Sequence, residues 1–456
     1  MSSLISRTKQ IFKSLAEEES NSYLSSTLNK DISLKKINNP LANTIYSLKD
    51  LISNTDGYVT GGSKFLSKYK PPFDATVYEI LKKAGAINIA NANLDEFGLG
   101  GTGLHAYGGE VRNPLDTTRM IGGSSAGSAY LVKKGYVDYS IASDTGDSAR
   151  IPASYTGIYG FKPSYGMISR YGFFPFCSQF DTPAIIASSL ETIATVFSEI
   201  SVPDERDLTT LSTIKYNYIK ALETPLKKPI KIAIFKNLFN SPFRVEERFK
   251  ELIEKLKEKE EVQIELYEFN KELLDLCTLI YSIVSRSESI SNYSNLTGLF
   301  FPFETDPKFN VINKQNGRDY SEILFNNRSV LGKEFVYRQI TGMYFLNGSN
   351  YENVYLKSKK LITLINKEIE ELFTKFDLVI SPTSEDIAPK ADEYKREYKP
   401  NTAQNILLLA NFCSLPAISI PWTTLDNMPV GLHLMSAFRS DAFLLNVTKY
   451  IKEWVT

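Results

Sequence analysis

Three side chains in the first third of the sequence have the types and the order needed for serine-based chemistry. Ser124 lies in residues 122–128 (GGSSAGS), and Ser148 ends residues 144–148 (DTGDS), 24 positions later. Lys49 lies upstream of both serines. A buried lysine can lose its charge, and the neutral amine can then accept the proton of a serine, directly or through a second serine. The pattern favours a serine nucleophile that is activated by a lysine.

Histidine-based catalysis is not favoured by this sequence. The chain has two histidines, His105 and His433, and neither lies near a nucleophile-type turn with an acidic partner, as a Ser-His-Asp triad would need. We expect both to be packing or surface residues, because no second metal ligand lies three or four positions away. Cys177, Cys277 and Cys413 are scattered without CxxC spacing, so we expect reduced thiols and no metal site.

The segment that ends at Ser148 could also supply an oxyanion hole. A glycine at position 146 lets consecutive backbone N–H groups turn toward one point. The candidate donors are the amides of Thr145, Gly146, Asp147 and Ser148. Each donor aimed at a tetrahedral intermediate typically contributes about 3 to 4 kcal/mol. Taken alone, DTGDS is also typical of an ordinary turn and GGSSAGS of a small-residue helix start, and only their combination with Lys49 favours a site.

The elements that must position these side chains can be predicted from hydrophobic periodicity. A strand within residues 44–50 is predicted to end at Lys49. The elements that follow are a helix at 74–84, a strand at 86–90, a helix at 125–134 and a strand at 136–142. The two serine segments therefore flank one helix and one strand.

The second half of the chain continues the alternation of strands and helices. Residues 230–235, 245–257 and 262–266 predict a β-α-β unit. Further predicted elements are strands at 378–380, 417–420 and 430–434 and a helix at 441–454. The alternation predicts one α/β domain over residues 1–456, an α/β/α layered domain with a central mixed sheet. Its predicted parts are a helical N-terminal segment (1–40), a catalytic core (44–200), a region with the β-α-β insertion and the substrate pocket (201–400), and closing strands with a C-terminal helix (401–456).

Composition limits the classes of partner that the chain can bind by charge alone. The 456 residues are 43% hydrophobic, which is ample for a large core, and 52 basic residues balance 52 acidic ones. A neutral total gives no electrostatic argument for direct binding of nucleic acid or of a membrane. The sequence has no signal-type N-terminus and no apolar run of transmembrane length, so we expect a cytoplasmic protein.

The two serine segments and their surroundings resemble the amidase signature family. The similar stretches are GGSSAGS, SDTGDSARIPAS and YGFKPSYG, and the resemblance covers residues 49–183 closely and the rest in outline. It implies the amidase signature fold and a Lys-Ser-Ser mechanism, with Lys49 as the base, Ser124 as the relay and Ser148 as the nucleophile that forms an acyl-enzyme. It also implies a cis peptide bond between Gly123 and Ser124.

Flanking segments narrow the resemblance to one group within this family. Residues 74–86 (DATVYEILKKAGA), 91–103 (NANLDEFGLGGTG), 111–116 (VRNPLD) and 166–182 (GMISRYGFFPFCSQFDT) are similar to those of the glutaminase subunits of tRNA-dependent amidotransferases. The resemblance implies that glutamine is hydrolysed here and that ammonia passes to a partner in a heterotrimer with subunits B and C. The partner would hold ATP, Mg²⁺ and the tRNA, and this chain would hold no cofactor. The sequence has no GxxxxGK[ST] loop.

The substrate-binding positions implied by the resemblance are only partly matched. Arg338 is the candidate for the α-carboxylate of glutamine, although it could also be an ordinary surface arginine of a helix. Gln404 occupies the place of an acidic residue for the α-ammonium group, and Phe301 that of a pocket tyrosine. Asp147 replaces the second glycine of the usual TGGS, and we expect either that its charge points away from the oxyanion or that it takes part in ammonium recognition.

Two alternative functions are also compatible with the sequence. A stand-alone amidase for small amides would use the same relay but would be indifferent to the α-amino acid group. A scaffold without catalysis is suggested only by Asp147, Phe301 and Gln404, the positions that depart from the family pattern.

Overall fold

A central mixed β-sheet organises the fold. The computed structural model describes residues 2–17, 20–26, 37–212, 215–226, 229–298, 324, 327–394 and 401–455. Within these residues, eleven strands form one sheet and two short strands form a separate pair. The strands are β1 Tyr23–Ser26, β2 Ile45–Lys49, β3 Ile87–Ala92, β4 Arg112–Asn113, β5 Asp116–Met120, β6 Tyr139–Asp144, β7 Tyr159–Lys162, β8 Thr182–Ala187, β9 Ile230–Phe235, β10 Val262–Tyr267, β11 Leu378–Pro382, β12 Ala417–Leu425 and β13 Met428–Ser436.

The strand order brings the chemistry-bearing segments to one edge of the sheet. The order is β1-β3-β2-β6-β8-β7-β12-β13-β11-β9-β10, with β4 and β5 paired apart from it. The runs β3-β2-β6 and β11-β9-β10 are parallel, and the other neighbours are antiparallel. Because the carboxyl ends of parallel strands meet at the same edge, Lys49 at the end of β2 lies beside the end of β6.

Helices cover both faces of the sheet. They are α1 Ser2–Glu17, α2 Thr76–Lys83, α3 Ala126–Lys133, α4 Arg150–Thr156, α5 Leu190–Ile200, α6 Tyr218–Leu222, α7 Glu246–Lys257, α8 Lys271–Asp275, α9 Cys277–Tyr293, α10 Lys333–Leu346, α11 Lys357–Lys375, α12 Thr402–Phe412 and α13 Asp441–Val455. Strand β8 shows the two layers: Ile185 and Ala187 belong to a core cluster with α2 and α5, whereas Ala184 and Ile186 pack with α3 and α4. The predicted α/β/α layering with a central mixed sheet is confirmed.

Most predicted elements occur close to their predicted positions. Strand β2 ends at Lys49 as predicted, and β9, α7 and β10 form the predicted β-α-β unit, with β9 and β10 paired in parallel. The strand predicted at 136–142 is shifted to β6, because the amides of Tyr136 and Val137 still bond back to the carbonyl of Leu131 in α3.

No helix in the described part of the chain is long and apolar enough to cross a bilayer.

Candidate active site

Lys49 is a fully buried lysine at the carboxyl end of β2, where all five strand residues are buried. Its Nζ donates hydrogen bonds to Oγ of Ser124 at 2.8 Å and to Oγ of Ser143 at 3.0 Å. Burial lowers the pKa of Lys49 to about 7, against the opposing effect of nearby carboxylates. Burial therefore favours the neutral amine, which is the form that can accept a proton.

Ser124 is held in the loop between β5 and α3 by contacts with Asp95. A Cβ atom at Gly123 would lie 2.2 Å from Oδ2 of Asp95, so this close approach requires a glycine. The amide of Asp95 donates to the carbonyl of Ser124 at 3.3 Å, and the peptide bond between Gly123 and Ser124 is cis, as the family resemblance implies. The carboxylate of Asp95 accepts hydrogen bonds from the amides of Thr102, Gly103 and His105. Its buried carboxylate thus fixes the glycine-rich loop against which Ser124 lies.

Ser148 lies in the loop next to Ser124. The amide of Ser125 donates to the carbonyl of Ser148 at 3.2 Å, which joins the two serine segments. Among the hydrogen bonds of the described residues, none joins Oγ of Ser124 to Oγ of Ser148. The structure therefore brings Lys49, Ser124 and Ser148 into one site and bonds the first two, while proton transfer between the two serines stays a prediction.

Residues 145–148 present four consecutive backbone amides at this site. In the described part of the chain, no hydrogen bond uses the N–H groups of Thr145, Gly146, Asp147 or Ser148 as donors. The loop is anchored on two sides: Oγ1 of Thr145 donates to Asp181 at 2.7 Å, and Arg150 donates to the carbonyl of Gly146 at 2.6 Å. Because the C=O and N–H of one peptide unit point in opposite directions, the second anchor turns the amide of Asp147 away from Arg150. These amides are available to an oxyanion.

Asp181 was not among the predicted site residues. Its Oδ2 accepts hydrogen bonds from the amides of Phe176 and Cys177, while Oδ1 accepts from Thr145. Burial raises the pKa of Asp181 to about 6, against the hydrogen bonds from Thr145 and the two amides. A cavity of about 230 Å³ borders this carboxylate, Thr145 and Ser143. The contact with Thr145 gives Asp181 a role in positioning the loop.

Arg150 is a second residue that sequence reasoning did not single out, although it lies in the stretch SARIPAS. It is completely buried and forms a two-pronged ion pair with Asp144, at 2.9 and 3.1 Å. It also donates to the carbonyl of Leu407 and to Oδ1 of Asn411, which ties the loop to α12. Burial alone would raise the pKa of Asp144, but the charge and hydrogen bonds of Arg150 outweigh it and lower that pKa to about 2.

His433 lies behind this ion pair and not beside a nucleophile. Its Nε2 is 3.1 Å from Nη1 of Arg150. Complete burial, reinforced by the charge of Arg150, lowers the pKa of His433 well below its ordinary value. His433 is therefore a neutral packing residue, which confirms the prediction.

Replacing Arg150 by glutamine should destabilise the fold by about 3 to 5 kcal/mol, because it leaves the carboxylate of Asp144 buried without its partner. Urea unfolding near pH 7 measures the loss. In the wild type the low pKa of Asp144 contributes stability at pH values above 3.8, the ordinary pKa of an aspartate. This contribution is lost as the pH falls through about 2. The double variant Arg150→Met/Asp144→Leu should recover part of the loss; equal stability of Arg150→Gln and the wild type would contradict the assignment.

Of the predicted substrate-binding residues, Gln404 contacts Asp147 and Arg338 contacts Glu334. Nε2 of Gln404, in the first turn of α12, donates to Oδ2 of Asp147 at 3.2 Å. Arg338 lies on α10, is only 16% exposed and donates to Glu334 at 2.8 Å, so it is not an ordinary surface arginine. Burial raises the pKa of Asp147 to about 6, and the charge of Arg338 is among the effects that oppose this. Phe301 lies outside the described residues.

No metal site accompanies these side chains. Within the described ranges, no three His, Cys, Asp or Glu side chains come together to hold a metal ion. Cys177 and Cys277 are buried and Cys413 is partly buried, all three as free cysteines.

Comparison with known proteins identifies relatives over nearly the whole chain. The Amidase family model matches residues 5–445. The chain is 35% identical to the A subunit of the glutamyl-tRNA(Gln) amidotransferase of Mycoplasma genitalium, over 96% of this chain and 92% of that protein. A protein of the same name from Saccharolobus solfataricus is 34% identical, over 91% of this chain and 84% of that protein.

Solved structures show the same fold. The crystal structure of the glutamyl-tRNA(Gln) amidotransferase A subunit from Thermotoga maritima superimposes with a TM-score of 0.80 at 27% identity, covering 96% of this chain and 89% of that one. A bacterial aryl acylamidase of the amidase signature enzymes shares the fold, with a TM-score of 0.78 at 18% identity, over 98% of this chain and 92% of that one. With the match of the family model over nearly the whole sequence, these findings show that the chain belongs to the amidase family.

Proposed function

We propose that this chain is the glutaminase subunit of a tRNA-dependent amidotransferase, which hydrolyses glutamine and supplies ammonia for the amidation of Glu-tRNA(Gln). The catalytic part of this proposal is supported above all by the hydrogen bond between Lys49 and Ser124 at the carboxyl edge of the sheet. Beside it lie the amides of residues 145–148, which donate no hydrogen bond within the described residues. The names of the relatives, at up to 37% identity over most of their length, support the assignment to this complex.

The first half of the reaction forms an acyl-enzyme. Neutral Lys49 accepts the proton of Ser124 while Ser124 takes the proton of Ser148, and Oγ of Ser148 attacks the carboxamide carbon of glutamine. The amides of residues 145–148 donate to the oxygen that becomes negative, where each donor contributes about 3 to 4 kcal/mol. The relay then returns a proton to the leaving nitrogen, so that ammonia departs and a γ-glutamyl ester of Ser148 remains.

The second half of the reaction releases glutamate. Water loses a proton to the relay and attacks the ester carbon, and the oxyanion is again held by the loop amides. Collapse of this intermediate breaks the bond to Oγ of Ser148, which regains its proton through Ser124. The enzyme returns to its starting state, and the net reaction is glutamine plus water to glutamate plus ammonia.

The remaining tasks fall to other subunits in this proposal. Subunits B and C would complete a heterotrimer, and the partner would hold ATP, Mg²⁺ and the tRNA. The balanced charge of this chain, 52 basic against 52 acidic residues, fits a protein that does not hold the tRNA by itself.

The test is ammonia release from L-glutamine by the chain alone and by the chain co-purified with its candidate partners. We expect slow hydrolysis by the isolated chain, faster hydrolysis in the complex, and poor turnover of propionamide and benzamide in both. Rapid turnover of these small amides by the chain alone, with none of glutamine even in the complex, would instead show a stand-alone amidase.

A further inference from the structure

Asp147 is a carboxylate in a position that opposes the chemistry proposed for its neighbours. It directly precedes Ser148, and its own amide is one of the four candidate oxyanion donors. A negative charge that stays close to a developing oxyanion raises the energy of the transition state by repulsion. A site that keeps this residue therefore needs a positive charge near it during the reaction.

The protein orients this carboxylate without a direct ion pair in the described part of the chain. Gln404 donates to Oδ2 at 3.2 Å and carries no charge. Within the described residues Asp147 forms no ion pair, because Arg150 is bound to Asp144 and Arg338 is bound to Glu334. Asp147 is thus a carboxylate that can form an ion pair with a bound cation.

The second carboxylate oxygen is open to a ligand. Asp147 is only half-buried, and no hydrogen bond of the described residues reaches its Oδ1. An ammonium group has three N–H donors and forms short, strong hydrogen bonds with such an oxygen. A cationic group of the substrate can therefore bind this oxygen.

Arg338 is the cation expected to face the α-carboxylate of an amino acid. It is 16% exposed and bonds to Glu334, not to Asp147. A molecule with adjacent carboxylate and ammonium groups, as in an α-amino acid, would then have a separate partner for each charge.

We propose that Asp147 binds the α-ammonium group of the substrate, so that position 147, and not position 404, distinguishes an α-amino acid from an amide without an ammonium group. The inference rests on the proposed function and deepens it. The acidic residue that the family resemblance implies at position 404 is absent, and Gln404 instead orients the carboxylate of Asp147. Substrates without an ammonium group leave Oδ1 of Asp147 without a bonded cation, and this selects against them in the chemical step.

The experiment compares L-glutamine with glutaramate, which is glutamine without its α-amino group, in the purified complex. Wild-type kcat/KM should favour glutamine by roughly ten- to a hundredfold, the range for a hydrogen bond to a charged group. Asp147→Asn keeps the shape of the side chain; it should lower kcat/KM for glutamine and raise it for glutaramate, because the repelling charge is gone. The double variant Asp147→Gly/Gln404→Asp should regain the preference for glutamine that Asp147→Gly loses.

Three other outcomes would overturn the inference, and one of them would also overturn the proposed function. If Asp147→Asn lowers kcat/KM for both substrates in parallel, the carboxylate serves only the loop and the inference is overturned. Equal use of glutamine and glutaramate by the wild-type complex would overturn it as well, while leaving the proposed glutaminase activity intact. A wild-type complex that releases no ammonia from glutamine would overturn the proposed function and the inference together.

Discussion

Replacement of Ser148 by alanine should reduce the release of ammonia from glutamine by about 10⁴-fold or more, down to the background that loop amides and substrate binding alone can support. The expected loss is this large because the variant has no atom that can form the acyl bond. Steady-state ammonia assays on the purified complex measure it. Lys49 and Ser124 would keep their contact, since neither bonds to Oγ of Ser148 among the described hydrogen bonds.

The matched control is Ser128→Ala. Ser128 is a buried serine of α3 whose Oγ has no hydrogen-bond partner within the described residues, so its removal should change neither stability nor rate appreciably. Glutaminase activity that survives in Ser148→Ala, or that is lost equally in Ser128→Ala, would refute Ser148 as the nucleophile.

Replacement of Lys49 by methionine should reduce kcat/KM by about 10² to 10⁴-fold, the usual contribution of a positioned general base. The pKa of Lys49 is about 7, so the wild-type kcat/KM should rise with pH through this value and then level off as the amine loses its proton. The variant should lose this rise. A pH profile that keeps its shape in Lys49→Met would assign the ionisation to another group.

Stability separates a catalytic role of Lys49 from a structural one. The folded pKa of about 7 lies below the ordinary 10.5, so burial costs stability increasingly as the pH falls from 10.5 toward 7, and the cost stays constant below that. Lys49→Met removes this cost and should melt at a higher temperature than the wild type at pH 7, with a smaller difference at pH 10. A variant that loses stability in step with activity would indicate that Lys49 serves the fold.

Lys162 provides a control for the removal of a buried lysine. It too is completely buried, and burial lowers its pKa to about 7, but its Nζ donates to the carbonyl of Pro163 and contacts neither serine. Lys162→Met should therefore keep far more activity than Lys49→Met. Equal losses in the two variants would show that the relay does not depend on Lys49 specifically.

The parts of the site that local patterns encode could be predicted from the sequence. The strand that ends at Lys49 follows from an apolar run, and the turns at Ser124 and Ser148 follow from glycine and serine spacing. The parallel pairing of β2 with β6, which places Lys49 at the same sheet edge as the segment of Ser148, is seen only in the structure.

Contacts between distant segments could not be predicted in this way. Arg150 bonds to Leu407 and Asn411, which lie 257 and 261 positions away, and Gln404 reaches Asp147 across 257 positions. Periodicity describes one element at a time and does not reveal which helix crosses a given loop. The sequence already suggests a part for Asp147 in ammonium recognition, but only the structure shows that Gln404 donates to its carboxylate.

The most direct test of Ser148 as the nucleophile is the identity of the acylated residue. The complex is mixed with L-glutamine, quenched in acid during turnover and examined by peptide mass spectrometry. The proposed mechanism predicts one γ-glutamyl group on Ser148, present in the wild type and absent in Ser148→Ala. A γ-glutamyl group on Ser124 or on any other side chain, with Ser148 unmodified, would contradict it.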